Sequence, residues 1–435
     1  MIRAGLGSRR RAFRAFVALI ALMALSVVAT WVGASRSAEP GLRRADLLPL
    51  QPLIDATAAG GKLIPPPGRY AGPVVLRRPI VLDGQGQVTI DAGGAGSVVQ
   101  ILADHAMVRG LHLVGSGANP DHLDAGVQVR GSHNRVEDNV IEDCLFGVDL
   151  KQVDENVIRG NRIRSKPFSL GERGDGIRLW YSNHNQVLDN RVSDVRDMVV
   201  WYSSDNVFVG NRVTNSRYGL HFMYSHRNGV RNNFFNNDRV GMFLMYSDRL
   251  QITDNRIVGA AGPTGLGIGV KESSDVTAKG NTIAYCARGV YLDVSPYDPE
   301  ATNDFSGNRL AYNGLGIVFH NDWHGNGFSG NVLEGNFAQV TVDDDSSANR
   351  NDWRGNYWSD YRGFDQNADG WGDAPYELYD YADKIWVEQP EAGFFRGSPV
   401  LELIDFLDHL APFSEPTLVL TDPEPRMDPG SKEAS

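Results

Sequence analysis

Cysteine is scarce in this chain: Cys144 and Cys286 are the two among 435 residues. At most one disulfide is available, which excludes a scaffold stapled by several. Basic residues are outnumbered, 42 Lys and Arg against 53 Asp and Glu, and the formal net charge is −11. That balance argues against nucleic acid as a partner and suits attraction of cations or a basic protein. Residues 70–360 also lack any long stretch with the spacing of an amphipathic helix.

What the middle of the chain does hold is a repeat. Gly176-Ile-Arg-Leu-Trp-Tyr-Ser182, Asp197-Met-Val-Val-Trp-Tyr-Ser203, Gly219-Leu-His-Phe-Met-Tyr-Ser225 and Gly241-Met-Phe-Leu-Met-Tyr-Ser247 start 21, 22 and 22 residues apart. A period of this length on alternating apolar positions points to a solenoid of stacked β coils. Weaker copies begin at Gly126, Gly147, Gly267, Gly289 and Gly316. A second marker runs in parallel: Asn139, Asn161, Asn190, Asn211, Asn233, Asn255, Asn281, Asn308, Asn331 and Asn356, each followed two residues later by an apolar or aromatic side chain. Asn and Gly tolerate the left-handed backbone of tight corners, and stacked Asn side chains can satisfy one another from coil to coil.

The period of two orients each strand. The first and third places after the leading residue are apolar and face the core; the second and fourth vary and are expected to face out. An open sandwich would show hairpin turns and irregular strand lengths instead. The fold predicted is therefore all-β, a parallel β-helix solenoid with short helical caps, right-handed by the general chirality of crossover connections. Cys144 and Cys286 each precede a leading Gly by three residues and fall in one column, six coils and roughly 29 Å apart at ~4.8 Å per coil. Both are expected free and buried, with no disulfide and no shared metal.

Equal places in successive coils become neighbours. The fourth place reads Arg130, Lys151, Trp180, Trp201, Met223, Met245, Lys271, Asp293; the second reads Gln128, Asp149, Arg178, Val199, His221, Phe243, Gly269, Tyr291. His221 and Met223 share a face, and Met245 stacks on Met223. Imidazole with thioether is a soft ligand set that suits Cu(I), and Trp180 and Trp201 could shield such a site or contact the cation. The same Met/Trp face, with Tyr224 and Tyr246 beside it, also reads as an apolar patch that binds another protein. The two readings are compatible, since metal transfer needs docking.

Other groups carry less. Asp149, Lys151 and Arg178 could bind a carboxylate or supply a base in an enzyme acting on acidic polysaccharides, and also read as a surface ion-pair network. Asp121-His-Leu-Asp124 reads as an acid–base group or a polar turn. His184, His226 and His320 fall at turns or strand ends, and nothing supports a nucleophilic triad. Asp365, Asn367, Asp369 and Asp373 alternate as in the start of a calcium loop, with Gly370 after Asp369, but Tyr376 stands where the final Glu belongs. An Asx turn is the other reading.

The ends divide the chain further. Arg9, Arg10, Arg11 and Arg14 precede an apolar run from Phe16 to Val32, so residues 1–34 read as an export signal, with an uncleaved anchor as the alternative. Its removal takes five Arg and no acid, which moves the net charge to −16. Residues 35–60 are assigned to an N-terminal cap, 61–360 to the β-helix, and 361–412 to a C-terminal loop and cap helix. That helix, from Pro399, would offer Leu401, Ile404, Phe406 and Leu407 to a partner. Residues 413–435 are Pro- and charge-rich and expected to be a disordered tail.

Gly-Leu-His-Phe-Met-Tyr-Ser at 219–225, Leu-Met-Tyr-Ser at 244–247 and Gly355-Asn-Tyr-Trp-Ser-Asp-Tyr361 with the Asp/Gly-rich loop after it resemble the NosD family, over roughly residues 45–410. The resemblance implies a right-handed β-helix of the carbohydrate-binding-and-sugar-hydrolase type in the periplasm. It implies a maturation factor, not an enzyme, that helps build the copper centres of nitrous oxide reductase. Implied partners are the ATPase and membrane subunits of an ABC transporter and a small copper-carrying lipoprotein. The chain departs from the family where Asn367 and Ala368 replace a more acidic, glycine-rich run, which touches calcium and not the family. A polysaccharide lyase or epimerase on the same fold is the rival reading.

Overall fold

Backbone polar groups at the corners of a solenoid cannot all pair within strands, and here asparagine side chains take them up. In the computed structural model, which describes residues 47–343, 347–380 and 417–430, the side-chain oxygen of Asn161 accepts both the N–H and the Nδ2 of Asn139, each at 3.0 Å. Nδ2 of Asn139 also donates to the Val108 carbonyl. The same three bonds recur at Asn190, Asn211, Asn255, Asn281 and Asn308 in step with the coils. The ladder ends at Asn356, closed by Asp422.

The coils form a parallel β-helix. Two parallel ladders are joined near the N-terminal end by the long strands Val81–Asp91 and Met107–Val114, which each run across both. A separate 12-stranded sheet runs from Val74–Leu76 to Ala338–Val342. Its register is the one the repeat implies: Lys151, Trp180, Trp201, Met223, Met245, Lys271 and Asp293 pair in sequence. First and third places, with Phe222 and Phe319 among them, meet Phe208, Phe235 and Phe328 from the other sheet in one main core, and all five rings are buried. Cys144 and Cys286 are free and buried, and burial pushes their thiols up to about 12 and about 11.

Both ends of the described solenoid are closed. Gln51–Ala56 is a short helix that buries Ile54; its Gln51 side chain bonds the Val75 backbone in both directions. At the other end the disordered tail expected over 413–435 is corrected in part. Thr417–Asp422 is a strand, antiparallel to Tyr376–Asp380. Its Thr-Leu-Val-Leu-Thr run has strand propensity, and burial of Val419 and Leu420 in the terminal core outweighs the flanking prolines. Trp358 stacks on Tyr376 at 4.3 Å to finish that core. The export signal 1–34 and the cap-helix residues Leu401, Ile404, Phe406 and Leu407 lie outside the described residues.

Candidate metal centre and docking face

The strands Tyr218–Met223 and Val240–Met245 are adjacent in the 12-stranded sheet, with Leu220 opposite Met242 and Met223 opposite Met245. Inward Leu220, Phe222, Met242 and Leu244 anchor them in the core. That anchoring presents His221 and Met245 on the outer side of neighbouring coils. Nε2 of His221 stands 3.3 Å from Sδ of Met245. Met223 and Met245 are half-buried.

Facing out of the core does not here mean exposure to solvent. Second-place residues are not exposed: Asp149, Arg178, Val199 and His221 are all buried. They point away from the core, and at His221 aromatic neighbours supply lateral cover. His221 lies between Tyr218 at 4.8 Å and Phe243 at 6.4 Å, with the Trp201 ring edge-on at 6.0 Å. Burial then dominates its titration and pulls the imidazole down to about 4, against the attraction of Asp197 and with the help of Arg217. The ring is neutral at physiological pH. Its Nδ1 is buried without a hydrogen-bond partner, as is Nε1 of Trp201. A neutral, under-satisfied imidazole beside a thioether is a donor set that fits a soft monovalent cation.

Charge flanks this apolar centre in closed pairs. Asp149 is held by Arg130 at 2.6 Å and Arg178 at 2.8 Å, and Arg178 also lies over the Trp180 ring. Asp197 pairs with Arg217, and Asp175 with Arg196 at 2.9 Å. With both its oxygens engaged by guanidinium groups, Asp149 is not a free base, and the Asp149–Lys151–Arg178 cluster is an ion-pair network that leaves Lys151 aside. Asp121–Asp124 is a polar turn: Asn119 Oδ1 accepts the N–H groups of Asp121 and His122, and Asp124 accepts that of Asn119.

Beside the Trp/Met column runs an aromatic ladder. Tyr181, Tyr202, Tyr224 and Tyr246 stack at 4.8, 5.2 and 4.8 Å. All four have φ near +50°, a conformation that bulky side chains rarely take. The corner imposes it, since Gln152 and Glu272 adopt it in the flanking coils. Tyrosine itself is not required there, and the first three rings are 38–48% exposed. Trp180 packs edge-on against Tyr181 and Tyr202. Tyr181 and Tyr202 were missing from the sequence-derived partner face, although the four aligned strings place them in the column of Tyr224 and Tyr246. Tyr218 was missed because it sits at a register irregularity one residue before the leading Gly.

The proposed calcium loop is tied to itself. Asp365 accepts the N–H groups of Asp369 and Gly370, Asn367 that of Asp369, Asp369 that of Trp371, and Asp373 that of Gln366. The bonds that Asn367 accepts from Asp369 and Asp369 from Trp371 are Asx turns. Among the described residues no group of three or more His, Cys, Asp or Glu is arranged to hold a metal ion.

Comparison with known proteins agrees with the repeat. The sequence profile described as periplasmic copper-binding protein (NosD) matches residues 163–363. A Pseudomonas aeruginosa protein named as an ABC transporter binding protein NosD is 34% identical over 367 residues, 79% of this chain and 83% of the relative. The chain belongs to the NosD family. A second NosD, from Stutzerimonas stutzeri, is 29% identical over 406 residues, 89% of this chain and 90% of its own. Solved structures with similar coils are a Streptomyces thermodiastaticus α-1,3-glucanase (TM-score 0.48, 17% identity, 67% of this chain and 64% of that one) and the A-module of an Azotobacter vinelandii mannuronan C-5 epimerase (TM-score 0.43, 19% identity, 68% and 91%). Among the described residues of this NosD chain, no helix is long and apolar enough to cross a membrane.

Proposed function

We propose that this chain is a periplasmic copper-delivery and docking subunit. It works beside an ABC transporter in assembling the copper centres of nitrous oxide reductase and does not act as an enzyme. The observation that carries the reading is the 3.3 Å approach of His221 Nε2 to Met245 Sδ, with a neutral ring and an unpartnered Nδ1. Cu(I) is cargo here, held by His221 and Met245 with Met223 as the next donor in the column. Trp180, Trp201 and the tyrosine ladder form the face on which a copper-carrying lipoprotein or the reductase docks. Thioether ligands and partial exposure suit a site that must give its ion up. Leu401, Ile404, Phe406 and Leu407 are proposed to meet the transporter's membrane subunit. Their replacement by Ser should abolish co-purification, and retained co-purification removes that contact.

An epimerase or lyase would need a free base on this face, and Asp149 is closed by two arginines. Turnover of a uronate polymer by the purified protein would restore that rival.

The deciding experiment is anaerobic Cu(I) competition titration of the mature protein beside a His221→Ala/Met223→Leu/Met245→Leu variant. Stoichiometric binding that is lost in the variant is expected. No binding by the wild type, or equal binding by both, would leave a docking scaffold without a copper site.

A further inference from the structure

The asparagine ladder is followed, coil after coil, by the same residue type. Arg162, Arg191, Arg212, Phe234 and Arg256 come directly after Asn161, Asn190, Asn211, Asn233 and Asn255 and pair in register across the adjacent strands. The four arginines are exposed. Their neighbours at the corners and in the next row are paired, Arg159 with Asp189 and Arg164 with Asp194, and Arg309, two coils further along the same row, is paired with Glu334. Arg162, Arg191, Arg212 and Arg256 have no carboxylate within ion-pair distance among the described residues. Arg212 and Arg256 instead flank the Phe234 ring at 4.8 and 5.8 Å.

Like charges placed directly opposite on adjacent strands destabilise a sheet. The fold does not need them: the same place holds Thr282 and Val332 in later coils. The row is also all arginine with one aromatic and no lysine, the composition of protein interfaces and of forked carboxylate recognition. It stands out against a chain of net charge −11. Salt screens that overall charge beyond about 10 Å, so the local row decides what binds at short range, and its guanidinium forks with an aromatic side chain between them match the carboxylates of an acidic peptide segment. From Arg162 to Arg256 the row spans roughly 19 Å at ~4.8 Å per coil, the reach of about six extended residues.

We propose that this arginine row is a docking strip for a carboxylate-rich segment of a partner protein, with Phe234 as its apolar anchor. The proposal is independent of the copper reading: it concerns another sheet and other residues.

The test uses the whole mature protein and a fluorescein-labelled decaglutamate peptide as probe, read by anisotropy at low and physiological salt. Three proteins are compared: wild type, Arg162→Gln/Arg191→Gln/Arg212→Gln, and a charge-matched control, Arg77→Gln/Arg239→Gln/Arg362→Gln, at exposed arginines elsewhere. The row variant should lose at least about tenfold in affinity while the control stays within about threefold. Its Tm should equal or exceed that of wild type, because repulsion is relieved; a structural row would give a lower Tm. Absence of binding by wild type, equal loss in both triples, or a Tm lowered by several degrees in the row variant overturns the proposal. So does row-dependent co-sedimentation with phosphatidylglycerol vesicles that exceeds peptide binding.

Discussion

Asp422 stands 66 residues beyond Asn356 in sequence, and its Oδ2 accepts both the backbone N–H and the Nδ2 of that asparagine, at 3.0 and 2.9 Å. The same carboxylate takes Trp358 Nε1 and the Gly355 N–H. The acceptor that each ladder asparagine finds on the next coil is thus supplied to the last one by an aspartate from the returning chain. Asp422→Ala leaves these buried donors unpaired and should cost about 3 kcal/mol. Amide exchange at Gly355–Trp358 should quicken before that of the central coils, because each coil leans only on its neighbours. Exchange that stays uniform along the solenoid would show that the cap does not hold the end.

The His221 imidazole lies low, at about 4, through burial, so protons do not compete with Cu(I) near neutrality. Copper affinity should hold between about pH 8 and 5 and fall as pH approaches 4. The unfolded ring titrates near 6.5, so between these values the unfolded state binds more protons, and stability declines as pH falls. His221→Phe should remove that decline together with copper binding. A titration midpoint of the ring near 6.5, followed by NMR, would contradict the burial described.

Asp238 runs the other way. Its Oδ1 accepts from the Ser216 N–H and hydroxyl, while its Oδ2 is buried without a partner. Burial raises it to about 7. The folded state therefore holds a proton that the unfolded state has lost, and stability falls as pH rises from about 4 to about 7. Asn313 makes the equivalent bond to Cys286 three coils further along the same corner. Asp238→Asn should stabilise by roughly 1–3 kcal/mol at pH 8 and by much less at pH 4. Thermal melts at both pH values give the answer, and an equal shift at both would rule out ionisation as the cause.

The tyrosine ladder offers a separation of docking from metal binding. Tyr202→Ala/Tyr224→Ala removes two exposed rings whose ring contacts are to Tyr181, Tyr246, Trp180 and each other, so Tm should change by only a few degrees and Cu(I) affinity by less than about threefold. Binding to nitrous oxide reductase, measured by surface plasmon resonance, should weaken at least tenfold. Undiminished binding would move the docking face elsewhere.

The column Trp180–Trp201–Met223–Met245 was legible from spacing alone, because a repeat of fixed length converts position into register. Ladders by which it could have been extended were present but interrupted. Asn134, Asn156, Asn185, Asn206 and Asn228 form a second run of stacked amides, which then lapses for two coils before Asn303. Burial of the second-place residues was not legible: period two gives the side of the sheet a residue leaves from, but not the height of its lateral neighbours. For His221 that cover comes from Tyr218, Trp201 and Phe243, on three different coils. The Thr417–Asp422 strand was hidden by composition, since its short Thr-Leu-Val-Leu-Thr run sits between prolines in a charged segment and pairs with Tyr376–Asp380 far upstream.

His221 and Met245 belong to adjacent coils whose spacing is clamped by serine and asparagine hydrogen bonds, Ser225 to Ser247 and Asn233 to Asn255 among them. The backbone beneath the two donors cannot open or close like a hinged cleft. An ion held between them must leave by rotation of the methionine side chain and stepwise replacement of one donor by another from an incoming protein. If this chain hands on copper as proposed, transfer would proceed by associative exchange on a rigid rack, at a rate set by how closely the recipient can approach and not by a conformational change in this chain.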